Sequence, residues 1–539
     1  MWRLCHLLAV ALPFMTMSVG ARADVTTLST VRQTSAAPQS GNSSSGAIAV
    51  AIDRFYRSRG EDAVWLAGET LNLQGEALLA VLADAGGHGI DWLPSSSGSF
   101  GEYGRRQAGE PAAAYDRRLT GLFLELARAL RIGRVTPEDL GMTWGMARPI
   151  FDPVMLLSAL ESGQSVAALL EAQAPPFESY RLLVSALPLY RDSAARGGWP
   201  MLPAGPTFGP GQSGAKVALL RLRLTAEGYI ASLDGGEVSD AALENALRSF
   251  QERHGLSVDG RVGKETIAAL NVSADQRADQ IVANMERWRW VPREQPAHRL
   301  EVNVAAAELV VYDGNQSVLT MRTIVGSPRH RSPLFQAAIE SVLVNPPWNV
   351  PRSIIRNEML PRLRREPEYL LKQDIQILDR PDDPFGLLVD WRNPPNPAGI
   401  RLRQRPGPGN ALGQIKFELP NPYDVYLHDT PSRKLFEQSR RTLSHGCIRL
   451  QHPQALAEHL LGPDPRLAQA LSGSETVRIP LARAVPVTLF YWTAFAGPDG
   501  ALYLRDDVYG HDRRLTAALR RSTGMAWEKA PEPTECQAG

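Results

Sequence analysis

The segment Thr442 to Leu450, TLSHGCIRL, sets a histidine, a glycine and a cysteine side by side in a chain whose other cysteines are Cys5 and Cys536. Cysteine chemistry requires a thiolate. A free thiol titrates near about 8.5 and is mostly protonated at neutrality, so a nucleophilic Cys447 needs a base close by. Two histidines qualify by position: His445, two residues earlier, and His428, in YDVYLHDTP. Residues two apart on a strand project to one face, so an extended segment would point His445 and Cys447 together. Gly446 lets the backbone bend between them and leaves amide N–H groups that can face a developing oxyanion. The same residues are open to other chemistry. His428, His445 and Cys447 could ligate zinc, although no Cys-x-x-Cys or His-Glu-x-x-His spacing accompanies them. Cys447 and Cys536 could pair in an exported protein, but Cys536 lies in EKAPEPTECQAG, a Pro- and Glu-rich end that reads as unfolded. We expect Cys536 to stay remote.

The elements that must hold these residues form a β-rich region. HRLEVNVAAAELVVYDGNQSVLTMRTIVGS alternates at Leu300, Val302 and Val304 and turns at Asp313-Gly314, and further strands are expected in AIESVLVN, YDVYLHD, HGCIRL and TVRIP. This predicts a mainly antiparallel β domain over 298–481. A long Pro- and Arg-rich interruption at about 349–414 carries helical pieces and reads as a lid over a cleft. Beyond it, 485–525 predicts a strand pair closed by Pro498-Asp499-Gly500 and then a short helix, ahead of a disordered tail at 526–539.

Upstream, the chain starts with Arg3, an apolar run from Leu4 to Val19, and Ala21-Arg22-Ala23 before Asp24. That is the pattern of a cleaved secretory signal peptide, 1–23. The run contains His6 and Pro13 and is short for a bilayer span, so no membrane anchor is expected in the mature form. A Ser/Thr-rich flexible leader follows at 24–45. A helical scaffold domain is predicted over 46–205, with an apolar stripe at Leu119, Leu122, Leu126 and Leu130, and His88 is expected in a solvated loop. After a Gly/Pro-rich linker, three helices fill 215–272, the second capped by Ser239 and stopped by Gly255. Composition, 44% hydrophobic, suits globular cores across several domains. The 58 Lys and Arg against 57 Asp and Glu leave a formal net charge of +1, which argues against a nucleic-acid binder relying on bulk charge.

Two stretches carry a family resemblance. FQERHGLSVDGRVGKETIAAL resembles the type 1 peptidoglycan-binding domain, with Phe250, Gln251, Gly255, Leu256, Asp259, Gly260, Gly263 and Thr266 in place, although a turn and a miniature core would use the same residues. YLHDTP followed by SHGCIRL resembles the active-site signature of the L,D-transpeptidases, specifically the large periplasmic type with a wall-binding module. The resemblance implies a multidomain α+β protein: a mainly antiparallel β catalytic domain with a helical lid, a three-helix peptidoglycan-binding module and a helical N-terminal scaffold domain. It implies Cys447 as nucleophile, His428 as base, and the backbone carbonyl of Asp429 as the group orienting His428. His445 and Gly446 would shape the pocket, with main-chain N–H groups around Gly446 and Cys447 as the oxyanion hole. Ser444 and Arg449 would hold the loop or contact substrate. Trp348, Asn349 and Tyr426 would wall the cleft, though buried packing explains Trp348 equally well.

The implied reaction joins two peptidoglycan tetrapeptide stems, donor and acceptor, by a 3→3 cross-link through a thioester, with no metal or other cofactor. Carbapenems are expected to acylate the same cysteine, and other wall-synthesis enzymes are the partners to consider. An L,D-carboxypeptidase, an enzyme attaching a lipoprotein to the wall, and a non-catalytic wall-binding scaffold remain open alternatives.

Overall fold

The computed structural model describes residues 42–90, 104–231, 234, 236–394 and 399–521. The expected signal peptide, most of the leader and the tail with Cys536 lie outside the described residues. Among these, no helix is long and apolar enough to cross a membrane.

The N-terminal helices form the first core. Leu119, Leu122, Leu126 and Leu130 of the helix Ala112–Ile132 are at most 2% exposed and face Phe55, Leu78, Leu157 and Leu169 from the surrounding helices. Fully burying a leucine is worth about 2 kcal/mol, so this stripe is what fixes the helix. The helix Asn42–Ser58 begins inside the stretch assigned to the leader, where Ser and Gly give no apolar pattern to signal it. His88 is half-buried rather than a freely solvated loop residue. It ends a short 3-10 turn, stacks on Tyr180 at 5.9 Å between centroids, and bonds its hydroxyl through Nδ1 at 3.0 Å. Burial, aided by Arg289, pushes its pKa down to about 4. Tyr180 belongs to the helix Glu178–Ala195, whose Leu183 and Leu187 pack into the β domain's core rather than the scaffold's. An amphipathic pattern identifies a buried face and leaves its partner open.

The second core is small. Helices Ala215–Ala226, Ala241–Arg253 and Lys264–Leu270 enclose Leu220, Leu224, Leu247, Phe250 and Leu270. The second helix is capped by Asp240, whose carboxylate accepts from Leu243 N at 2.8 Å, one residue later than Ser239. Gln251 donates to Asp259 Oδ1 and the Arg261 carbonyl and accepts from Gly260 N, so it clamps the turn that follows. Several residues that carry the module's resemblance therefore hold its shape.

The β domain is built on a mixed sheet. Along it run Ile415–Glu418, Leu427–His428, Ile448–Leu450, Gln316–Gly326, Glu308–Asp313, His298–Asn303, Val477–Phe490 and Leu334–Val344. Ile415–Glu418 also pairs with Leu334–Val344, which closes the sheet on itself. Strand alternation sends Leu300, Val302, Leu309 and Val311 to the inside at 0% exposure. Val477–Phe490 crosses the expected boundary at 481, pairing antiparallel with Leu334–Val344 and parallel with His298–Asn303. Its register breaks between Pro480 and Val485, and that irregularity reads in sequence as a domain end. The lid carries more than helices. Residues 352–363 are helical, with a π segment at Ile355–Met359, and Trp348–Asn349, Leu402–Gln404 and Ile375–Ile377 form a three-stranded sheet over a separate core of Leu363, Leu370, Ile375 and Trp391.

The helices Ala274–Trp288 and His511–Arg521 are tied by a buried ion pair, Arg287 with Asp512, and Asp512 also accepts from Thr493 Oγ1 at 2.7 Å. Removing one partner strands the other charge. We expect Arg287→Met to lower stability in urea denaturation by about 3 kcal/mol and Arg287→Met with Asp512→Asn to recover a large part of it. Equal loss in both would assign the cost to packing.

Candidate active site

Leu427–His428 runs parallel to Ile448–Leu450, with Leu427 opposite Ile448 and His428 opposite Arg449. Ile448 N donates to the Tyr426 carbonyl at 3.1 Å, so the register lays Tyr426 beside Cys447, the residue that precedes the strand. On its other side the short strand is held by Ile415–Glu418, which puts Lys416 opposite His428.

His428 is 5% exposed, and its Nδ1 donates to the Asp429 carbonyl at 2.6 Å. This bond leaves the lone pair on Nε2. Burial, then the charge of Arg449, pushes its pKa down to about 3 against the pull of the Asp429 and Leu412 backbone groups. The Asp429 side chain turns away from the imidazole. It accepts from Thr430 N at 2.6 Å and Gln414 N at 2.8 Å and pairs with Arg433, tying the end of the lid to the strand. A cavity of 480 Å³ beside Asp429 and Arg433 is lined by neither Cys447 nor His428.

Residues 445–447 are a turn rather than a strand. Gly446 adopts φ +115°, a conformation open to glycine and strained for other residues, with room for a Cβ. The buried Ser444 hydroxyl donates to the Cys447 carbonyl at 2.6 Å and accepts from Gly446 N at 3.1 Å, so it is committed to the turn. Gly446 N–H is therefore taken, whereas among the described residues no hydrogen bond engages the Cys447 N–H. His445 does not point with Cys447 as an extended segment would require. Its Nε2 meets Glu358 Oε1 of the lid at 2.6 Å and its ring stacks on His330 at 4.6 Å.

Cys447 is half-buried and has no disulfide partner among the described residues, and its Sγ lies 3.9 Å from the Asp424 carbonyl. Burial pushes its pKa above the ordinary thiol range, opposed by hydrogen bonding from Tyr426 and by the charges of Lys416 and Arg449. No hydrogen bond joins Cys447 to His428 among the described residues. Both shifts favour the uncharged forms, so the resting pair is a neutral thiol and a neutral imidazole.

Of the wall residues, Tyr426 is central. Its ring meets His428 edge-on at 5.5 Å, Lys416 Nζ sits 4.4 Å over it, and burial together with Cys447 pushes its phenol up while a hydrogen bond with Trp348 acts the other way. Trp348 packs against the lid core, and Asn349 is exposed and accepts from Arg403 Nε at 2.8 Å. The buried Nε of Arg449 has no hydrogen-bond partner among the described residues. Lys416 and Glu358 escaped sequence reasoning. Lys416 is one charge in an ordinary strand, and only the register aligns it with His428. Among the described residues no group of three or more His, Cys, Asp or Glu side chains could hold a metal ion.

Comparison with known proteins matches three parts of the chain. Residues 297–479 match the L,D-transpeptidase catalytic domain, 213–270 a putative peptidoglycan-binding domain and 50–187 a scaffold domain. The chain thus carries a catalytic domain of the L,D-transpeptidase kind at 297–479 and a peptidoglycan-binding module at 213–270. A putative L,D-transpeptidase of Haemophilus influenzae is 33% identical over 290 residues, which cover 52% of this chain and 58% of that protein. The match therefore spans little more than half the length of that relative. An L,D-transpeptidase structure from Stackebrandtia nassauensis is 12% identical over 54% of this chain and 96% of that one, with a TM-score of 0.22. One from Xylanimonas cellulosilytica is 16% identical over 53% and 99%, with a TM-score of 0.19.

The neutral resting pair has a measurable consequence. A raised thiol pKa keeps the thiolate scarce below it, so iodoacetamide labelling of the Cys447 peptide, followed by mass spectrometry, should accelerate with pH through neutrality and level off only above the ordinary thiol range. A rate already level below about pH 7 would mean a resting thiolate–imidazolium pair.

Proposed function

We propose that this protein is a cysteine L,D-transpeptidase that forms 3→3 cross-links between peptidoglycan stem peptides in the periplasm, after export by a cleaved signal peptide. The observation that carries the proposal is the paired arrangement of a buried His428, held through Nδ1 by the Asp429 carbonyl, and a half-buried Cys447 whose own N–H is unengaged among the described residues, the first on a short strand and the second in the turn that leads into the strand parallel to it. The match of 297–479 to the L,D-transpeptidase catalytic domain and the peptidoglycan-binding module support the substrate class.

In this reading His428 Nε2 takes the proton of Cys447 as Sγ attacks the carbonyl of the third stem residue. The Cys447 N–H stabilises the oxyanion. Collapse breaks the C–N bond, His428 gives the proton to the departing D-alanine amine, and a thioester remains. The side-chain amine of a neighbouring stem then attacks the thioester, an amide forms, and the thiol is regenerated. The energy of the broken peptide bond passes to the new one, so no ATP or cofactor is needed. Lys416 and Arg449 favour the thiolate electrostatically, Tyr426 and Trp348 wall the cleft, and the lid limits access of water to the thioester. Carbapenem acylation at Cys447 belongs to the same proposal.

Incubating the mature protein with tetrapeptide muropeptides and analysing the products by mass spectrometry should give a 3→3 dimer. Cys447→Ala should abolish it and His428→Gln should slow it by at least about 10²-fold. Tripeptide without dimer would assign the site to hydrolysis, and unchanged dimer formation by Cys447→Ala would remove the nucleophile from Cys447.

A further inference from the structure

The peptide group joining Gly446 to Cys447 is held from outside the active-site turn. Ser332 Oγ donates to the Gly446 carbonyl at 2.7 Å and accepts from Gly326 N at 3.0 Å. Ser332 N donates to Tyr509 Oη at 3.2 Å, and Tyr509 Oη donates to the Gly326 carbonyl at 2.6 Å. Both residues are 3% exposed. Tyr509 is itself fixed: its N–H donates to Tyr491 Oη at 2.9 Å, its ring stacks on Tyr491 at 5.4 Å, and Tyr491 Oη donates to Asp507 at 2.9 Å. Tyr509 lies outside residues 297–479, the part that matches the catalytic-domain family.

A trans peptide is planar, with its carbonyl and the following N–H pointing in opposite directions. The described chain has no cis peptide. Anchoring the Gly446 carbonyl therefore also sets the direction of the Cys447 N–H, the donor left unengaged beside the thiol. Gly446, with its positive φ, has a freer backbone than other residues and cannot hold that plane by itself.

We infer that Ser332 and Tyr509 are positioning residues for acyl transfer, holding the Gly446–Cys447 peptide so that the Cys447 N–H faces the developing oxyanion. The inference rests on the reading of Cys447 as the acyl acceptor. It adds a dependence of the catalytic turn on the C-terminal segment.

Two electrophiles separate positioning from general support. p-Nitrophenyl acetate acylates the thiolate: the C–S bond forms, an oxyanion develops, and the C–O bond breaks to release p-nitrophenolate. Iodoacetamide alkylates it by displacing iodide and develops no oxyanion. With both rates followed at the Cys447 peptide, we expect Tyr509→Phe to slow acylation roughly 10-fold and Ser332→Ala roughly 100-fold, with alkylation unchanged. The double variant should be no slower than Ser332→Ala, since both act through one peptide. On stem substrate kcat should fall while KM holds. Tyr509→Phe keeps the stacked ring, so it tests the hydroxyl without removing packing. Unchanged acylation in both variants, or alkylation falling in step with acylation, would overturn the inference. Absence of cross-linked product from the parent protein would overturn the transferase reading alone, because the two rates are measured without stem peptide.

Discussion

Two residues of parallel pairing, Leu427 against Ile448 and His428 against Arg449, set the geometry of the whole site. A slip of one residue would turn His428 to the opposite face of the sheet and take Tyr426 away from Cys447. A strand this short cannot hold its register alone. It is held because Ile415–Glu418 pairs with it on one side and with Leu334–Val344 on the other, so a slip would also open the closed sheet. The side chains that frame the chemistry, His428, Tyr426, Lys416 and Arg449, all descend from that ladder.

The electrostatics follow from the same placement. Burial discourages charge on both His428 and Cys447, and the nearby cations Lys416 and Arg449 discourage the imidazolium while favouring the thiolate. In the proposed acyl transfer, a proton accepted by His428 is thus held in an unfavourable place and passes readily to the leaving amine. Burial that slows the first proton transfer speeds the second. The lid is tied to this centre at separate points, through Glu358 on His445 and through Gln414 on the Asp429 carboxylate.

The domains are coupled by polar contacts that reach across large sequence distances. Helix Ala274–Trp288 carries Gln280 and Asn284, which bond the Thr493 backbone, and Arg287, which pairs with Asp512. The small three-helix module touches the C-terminal hairpin through Arg253 and Asp499, and Arg505 donates to the Arg253 carbonyl at 2.8 Å. The C-terminal segment is therefore part of the frame of the β domain as well as its sequel.

Local signals in the sequence determined a good deal: the apolar stripe of Ala112–Ile132, the turn at Asp313-Gly314, the three helices of the wall-binding module, and the His-Gly-Cys run that marks the candidate site. These depend on periodicity, turn chemistry and short motifs, which operate within a few residues of one another. Only the tertiary structure decided that His445 faces the lid, that His88 stacks on Tyr180, that the strand Val477–Phe490 continues past its apparent end, and that Lys416, Ser332 and Tyr509 converge on the turn of Cys447. Each of those depends on strand register, or on hydrogen bonds between residues far apart in the chain. A single sequence records which side chains exist, while the partner of a buried polar group is set by the closing of the sheet and the packing around it.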